Sequence, residues 1–251
     1  MARPRPGHIP PCRDAADSGA GSLQVVRSAT AESPDIPLSC WSTDVATLRI
    51  HTLRILEIVI VDLSHEIAAG ILTRSFEIES LGLLGNTGTY LDAPYHYHVD
   101  RADLAHLPLE RLVNVSITIV RAYGRTSVTA ADLGNPDRLW GRAVLVHTGW
   151  ARHWATSRYL DLDCPHLAAD AADKLVDANA ALVGIDSLNI DHPADPKRPA
   201  HQRLLGANIP VIEHLTNLES VPDTGARLTA LPAPVRAMAS FPVRAVAVYD
   251  G

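Results

Sequence analysis

The feature that most constrains the fold is a series of short β-rich runs spread along the chain from residue 56 onward. Each run is bounded by Gly, Pro, Asp or Asn, residues that commonly flank strands. We therefore predict strands over 58–62, 113–120, 143–147, 181–185, 209–213 and 243–249.

Helical patterns lie between these runs. Residues 168–179 place Ala171 and Leu175 on one face and most of the charged residues elsewhere, which is typical of an amphipathic helix. Segments 150–158 and 199–205 are weaker helix candidates. Because strands alternate with helices, we predict an α/β fold.

The first 53 residues have a different composition from the rest. They are rich in Pro, Ser, Ala and Asp and lack sustained periodicity, so they offer too little apolar surface for an ordered core. We predict a disordered N-terminal extension over 1–53 and one domain over 54–251.

The composition and net charge of the chain indicate which kinds of molecule it binds. A chain of 251 residues with 47% hydrophobic and 20% charged residues is typical of a globular protein with a sizeable core. The net charge of -6 argues against nucleic acid and anionic membranes. No segment approaches the roughly 18 consecutive apolar residues of a membrane helix. We expect a small-molecule substrate, with no nucleic acid and no membrane as partners.

The cysteines and the N-terminus indicate the compartment. Cys12, Cys40 and Cys164 are widely separated and lack Cys-x-x-Cys spacing, so neither a disulfide framework nor a thiolate zinc site is indicated. Prolines and polar residues occupy the N-terminus where a secretory signal would need an apolar stretch. A cytoplasmic location is predicted.

Residues 86–96 are the most informative fragment chemically. Asp92 and His96 flank Pro94, which cannot occupy a helix interior. We predict a strand-to-loop bend that directs both side chains into one cleft. Oxygen and imidazole donors suit Zn²⁺ or Mn²⁺. Thr89 could orient one of the metal ligands by a hydrogen bond without contacting the metal itself. An isolated Asp-Ala-Pro sequence is also compatible with a simple turn.

Two further candidates lie far along the chain. His201 is near the start of a candidate helix and Glu213 near the end of a predicted strand. They can meet only through tertiary folding, and a lone histidine is commonly a polar surface or core residue. Spacing alone leaves their pairing open.

Taken together, these segments resemble the cyclase family of metal-dependent hydrolases, which includes bacterial kynurenine formamidases and isatin hydrolases. The family signature is His-x-Gly-Thr-His-x-Asp-x-Pro-x-His. The chain matches it at Gly88, Thr89, Asp92, Pro94 and His96. The resemblance extends from about residue 58 to 249, and it implies the swivelling β/β/α fold of that family.

The resemblance also implies roles for individual residues. It makes Asp92, His201 and Glu213 metal ligands, and it makes His96 the catalytic histidine. Asn86 and Tyr90 depart from the signature, because both stand where the family has histidine ligands. We therefore predict one Zn²⁺ or Mn²⁺ per chain.

Several other side chains are candidates for contact with the substrate or the ligands. Asn86, Thr89 and Tyr90 belong to the signature segment, and His98 is one alternation beyond His96. His98 is equally compatible with a solvated loop. His65 follows the first predicted strand in a segment similar to the family.

The function that the resemblance implies is hydrolysis of a small amide or formamide, as in arylformamidases that act on N-formylkynurenine in tryptophan catabolism. A bound metal ion lowers the pKa of water to about 7, and His96 would carry a proton to the departing nitrogen. The alternatives are a catalytically silent ligand-binding protein, a polyketide cyclase or a lactam hydrolase. The family's assemblies imply a homodimer or homotetramer.

Overall fold

The computed structural model describes residues 23–27, 57–63 and 82–250. Within these ranges there are twelve strands and two α-helices, joined by short 3-10 turns. The strands are β1 (Leu23–Arg27), β2 (Glu57–Asp62), β3 (Tyr90–Asp92), β4 (Val115–Arg121), β5 (Ser127–Val128), β6 (Ala143–His147), β7 (His166–Leu167), β8 (Leu182–Ile185), β9 (Val211–Glu213), β10 (Arg227–Thr229), β11 (Ser240–Pro242) and β12 (Val246–Asp250). The helices are α1 (Ala169–Asp177) and α2 (Pro199–Gly206).

Ten strands form one sheet in the order β1-β2-β12-β10-β4-β6-β8-β9-β3-β11, while β5 and β7 form a small second sheet. The centre, from β4 through β6 and β8 to β9, is parallel. The flanking strands pair antiparallel. Parallel strands are buried on both faces and read as continuous apolar runs, which is why β6 and β8 are buried along their whole length.

The two faces of the central sheet contribute to different cores. Val144 belongs to a cluster with Leu175 of α1 and Leu204 of α2. Its neighbour Leu145 points the other way, into a cluster that includes Leu228 of β10 and other residues of the antiparallel strands. Helices therefore cover one face, and the curled part of the sheet covers the other.

Most predicted elements are confirmed, with ends shifted by a few residues. The six predicted strands correspond to β2, β4, β6, β8, β9 and β12, and the predicted helices over 168–179 and 199–205 correspond to α1 and α2. The helix predicted over 150–158 was wrong. That stretch forms two 3-10 turns, Trp150–His153 and Ser157–Leu160, separated by Ala155 at φ 61. A left-handed residue cannot continue a right-handed helix.

The N-terminal prediction is addressed only in part. Strand β1 lies inside the segment predicted to be an extension and pairs antiparallel with β2 at the sheet edge, so a sheet strand was missed there. The rest of residues 1–53 lies outside the described residues, as does His65, and the predicted extension stays a prediction. No helix in the described ranges is long and apolar enough to cross a membrane.

Candidate metal centre

The backbone brings three functional side chains to one face of the sheet. Strands β3 and β9 are antiparallel neighbours, with Tyr90 opposite Glu213 and Asp92 opposite Val211. Because alternate strand residues share a face, Tyr90, Asp92 and Glu213 point the same way. Helix α2 packs against β9 and against the 3-10 turn Pro94–His96. The third side chain, His201, lies on this helix.

Asp92, His201 and Glu213 converge on one point. The Nε2 atom of His201 lies 3.4 Å from Asp92 Oδ2 and 3.6 Å from Glu213 Oε1. One potential ligand atom from each residue lies within 4.8 Å of the others, and all three residues are buried. Two carboxylates and an imidazole held together away from water form a donor set that suits a divalent cation.

Asp191 orients the histidine of this cluster. Its carboxylate accepts a hydrogen bond from His201 Nδ1 at 2.7 Å, and it also accepts the backbone N–H groups of Ala200 and His201 at 2.7 and 3.0 Å. Because Nδ1 donates its proton to Asp191, Nε2 is the ring nitrogen that faces Asp92 and Glu213. Histidines that ligate metals commonly have such a carboxylate behind them.

Each carboxylate of the cluster is anchored through one of its oxygens. Ser240 of β11 lies opposite Asp92 in the sheet, and its hydroxyl donates to Asp92 Oδ1. The hydroxyl of Tyr90 donates to Glu213 Oε2. Asp92 Oδ2 and Glu213 Oε1 face His201, and Glu213 Oε1 also accepts the backbone N–H of Ile190 at 2.5 Å.

The electrostatics of the cluster show an excess of negative charge. Burial by itself lowers the pKa of His201, but the hydrogen bonds to Asp191 and Asp92 and the charge of Glu213 outweigh it and raise the pKa to about 10. Burial, together with the charge of Asp92, raises the pKa of Glu213. Burial and then Glu213 and Asp92 raise the pKa of Tyr90 well above its ordinary value. A cation at the centre would neutralise this excess.

A cavity of about 480 Å³ opens over the ligand cluster, a size typical of small-molecule sites. Its walls combine carboxylate, imidazole, amide and apolar groups. The described lining residues are Leu84, Gly85, Asn86, Tyr90, Asp92, His96, Tyr97, Asn189, Arg198, His201, Met238, Ala239 and Ser240.

His96 lies in this cavity but outside the ligand cluster. It ends the 3-10 turn that follows β3, so the predicted bend is confirmed. Its side chain is exposed, and its ring centre is 5.9 Å from that of His201. This position agrees with a proton carrier beside the metal site, and the catalytic role stays a prediction.

The other predicted contacts divide between the cavity and its surroundings. Asn86 lines the cavity. Thr89 lies behind the site, where its hydroxyl donates to the backbone oxygen of His214 at 2.6 Å. His98 is not among the described lining residues of the cavity. Its Nε2 contacts the backbone oxygen of Gln202 on α2 at 3.2 Å.

The fold and the site together define an α/β protein with a buried Asp-His-Glu cluster that could bind a metal ion. Residues 61–192 match the family described as "Putative cyclase", and the chain belongs to this cyclase family, as the sequence analysis predicted. It is 31% identical to a kynurenine formamidase of Paracidovorax citrulli (strain AAC00-1) over 67% of this chain and 78% of that protein. A kynurenine formamidase of Bacillus anthracis is 28% identical over 68% of this chain and 80% of its own length.

Solved structures agree with the fold. A protein described as a potential metal-dependent hydrolase with cyclase activity superposes with a TM-score of 0.67 at 25% identity, over 77% of this chain and 99% of the other. An isatin hydrolase bound to the product analogue thioisatinate gives a TM-score of 0.68 at 20% identity, over 77% and 93%. The predicted α/β fold of the cyclase family is confirmed.

Proposed function

We propose that the protein is a metal-dependent hydrolase that cleaves the carbon–nitrogen bond of a small amide or formamide, with aryl formamides as the substrate class. The observation that carries this proposal is the buried convergence of Asp92, His201 and Glu213 beneath a substrate-sized cavity. The kynurenine formamidases among the relatives support the substrate class.

The donor set fits one Zn²⁺ or Mn²⁺. Asp92, His201 and Glu213 would hold the ion, since three protein ligands with an open position are usual for a catalytic zinc site. Tyr90 uses its proton to bind Glu213, and Asn86 offers only a neutral amide, so neither adds a strong ligand. When bound, such an ion polarises a carbonyl group and lowers the pKa of water.

The residues of the chain would divide the remaining work. His96 reaches the cavity without belonging to the ligand set, so it can accept a proton and pass it to the departing nitrogen. Tyr97 stacks on the His201 ring at 5.3 Å between ring centres and closes one side. The carboxylate of Asp191 keeps a proton on His201 Nδ1 and so keeps Nε2 directed at the ion.

The proposal is tested by elemental analysis after exhaustive dialysis, followed by formate release from N-formylkynurenine. We expect one tightly held ion per chain and turnover that a chelator abolishes. Two ions per chain would show that Asn86 or Tyr90 also ligates. No stoichiometric metal and no turnover would favour a silent ligand-binding protein, and ring opening of a lactam in place of formate release would favour a lactam hydrolase. The cytoplasmic location and the homodimer or homotetramer stay predictions.

A further inference from the structure

Arg198 is a cation in the wall of the same cavity. It precedes α2 and lies three positions before His201. Its Nη1 donates to Asn189 Oδ1 at 3.1 Å and to the backbone oxygen of His192 at 3.4 Å, and its Nη2 donates to the backbone oxygen of Pro193 at 3.1 Å. All three acceptors are uncharged.

These contacts leave one edge of the guanidinium available. An arginine has five N–H donors in a planar fork, and the three bonds involve only Nη1 and Nη2. Within the described residues the Nε–H makes no bond, and Nε together with Nη2 forms the side-on edge that can bind a carboxylate through two parallel hydrogen bonds. In the described part of the chain, no carboxylate oxygen lies within 4.0 Å of Arg198 and no group accepts from its Nε.

Other arginines of the protein are neutralised differently. Arg121, Arg158 and Arg203 each pair with an aspartate of the chain. Among the described lining residues of the cavity, Arg198 is the single Lys or Arg. An uncompensated cation is thus placed beside the candidate metal centre.

The backbone of Arg198 supports a functional reason for this placement. It has φ 45 and ψ 55, in the left-handed region, which costs a residue other than glycine about 1 kcal/mol or more. The following Pro199 further disfavours any conformation but the extended one. Glycine or asparagine would meet the backbone requirement more easily, so an arginine at this strained position points to a use for its side chain.

We propose that Arg198 anchors a carboxylate group of the substrate, so that the enzyme acts on anionic carbonyl compounds in preference to neutral ones. This inference rests on the proposed hydrolase function. The guanidinium edge binds the carboxylate while the susceptible carbonyl lies over Asp92, His201 and Glu213. Arg198 thereby determines specificity and orientation and takes no part in proton transfer.

The test compares N-formylkynurenine with its methyl ester, in which a neutral ester replaces the charged carboxylate. Formate release is measured for the metal-loaded wild type, Arg198→Gln, Arg198→Lys and the control Arg203→Gln. Arg203→Gln is the control because it removes the same charge from α2, the helix that Arg198 precedes, at a side chain that pairs with Asp173. We expect Arg198→Gln to lower kcat/KM for the acid about 10- to 100-fold, mainly through KM, as loss of a charge-assisted pair does.

The ester shows whether Arg198 recognises the substrate carboxylate or only supports the local fold. For the ester, we expect kcat/KM to change less than about 3-fold in Arg198→Gln. Arg198→Lys should retain part of the preference for the acid. Arg203→Gln should match the wild type with both compounds. Equal losses for acid and ester would overturn the proposal and leave Arg198 as a brace for residues 189–193. If Arg198→Gln loses its metal, Arg198→Lys decides the question instead. A larger loss of kcat/KM for the acid than for the ester supports the proposal, and equal losses overturn it.

Failure of the hydrolase proposal has a different signature, namely no formate release from either compound by the metal-loaded wild type. In that case, calorimetry with 3-phenylpropanoate and 3-phenylpropanamide tests the anchor directly. Tighter binding of the acid by about 10-fold or more, lost in Arg198→Gln and kept in Arg203→Gln, supports it. No preference for the acid, or a preference that survives in Arg198→Gln, overturns it.

Discussion

Two buried histidines, His201 and His147, lie in opposite electrostatic surroundings. His201 is 2% exposed and His147 is 3% exposed. Carboxylates surround His201 and raise its pKa to about 10 against the effect of burial. Burial and then the positive charge of Arg121 lower the pKa of His147 to about 4. Similar burial therefore gives shifts of opposite sign, because the neighbouring charges differ.

The hydrogen bonds explain why only one of the two suits a metal. His147 Nδ1 accepts from Arg121 Nη1 at 2.6 Å and from the Tyr123 hydroxyl at 2.9 Å, so its proton belongs on Nε2. That nitrogen faces Asp186 Oδ2 at 3.8 Å, yet it has no lone pair for a cation. His201 has the reverse arrangement, with the proton held by Asp191. Whether a buried histidine can bind a metal therefore depends more on the hydrogen-bond partner of its Nδ1 than on the presence of nearby carboxylates.

The largest effect expected from this comparison concerns metal content. His201→Ala should lose nearly all bound metal, because it removes one of the three proposed ligands, whereas His147→Gln should keep the wild-type stoichiometry. Elemental analysis of both variants after dialysis makes the measurement. Metal loss in His147→Gln, or retention in His201→Ala, would contradict the distinction between the two histidines.

The next effect separates the proposed proton carrier, His96, from the proposed metal ligands. His96→Ala should lower turnover by about 10² to 10⁴, the usual contribution of a general acid or base, while its metal content stays at the wild-type level. His98→Ala is the matched control, since His98 contacts Gln202 on α2 outside the described cavity lining. If His96→Ala loses its metal, His96 is a ligand and its assigned role is wrong.

A smaller effect tests the residue behind His201. Asp191→Asn should weaken metal binding about 10- to 100-fold, because loss of the supporting carboxylate commonly has that effect. Asp186→Asn is the control, as Asp186 is another buried acid beside a histidine but accepts from Thr148 and Gly149 instead. Competition with a chelator gives the affinities. Equal weakening in both variants would show a general loss of packing.

The sequence predicted the central strands well and the site only in part. Strand β6 was predicted with its observed bounds, because its apolar run is continuous and ends at clear turn residues. Strands β3 and β11 have three residues each, too few to show alternation, and both were missed. Asp92, His201 and Glu213 lie on separate elements, so the family resemblance joined them where spacing could not.

Asp191 is the main site residue that the sequence analysis missed. It lies in an irregular stretch between β8 and α2, where Asp beside His and Pro is an ordinary turn sequence. Its function depends on accepting N–H groups at the start of a helix that begins at Pro199. That relation exists only once α2 has docked on the sheet, and local sequence carries no sign of it.

The smallest effect expected is a change in how stability depends on pH, and it sharpens the contrast at His147. The folded pKa of His147 is about 4 and its ordinary value is 6.5, so between these values the unfolded chain binds the proton more strongly than the folded one. The free energy of unfolding must then fall as the pH falls through this window. The expected loss at pH 5 relative to pH 7 is up to about 2 kcal/mol.

Asp186 acts in the opposite direction, because burial raises its pKa to about 6 and the folded state holds its proton more strongly. Its contribution to stability therefore increases as the pH falls, and it is present in both the wild type and His147→Gln. Urea unfolding of the metal-free proteins at pH 7, 6 and 5 isolates His147 as the difference between their two curves. The wild type should lose stability relative to His147→Gln on acidification. Parallel curves would show that His147 is not held neutral by its surroundings.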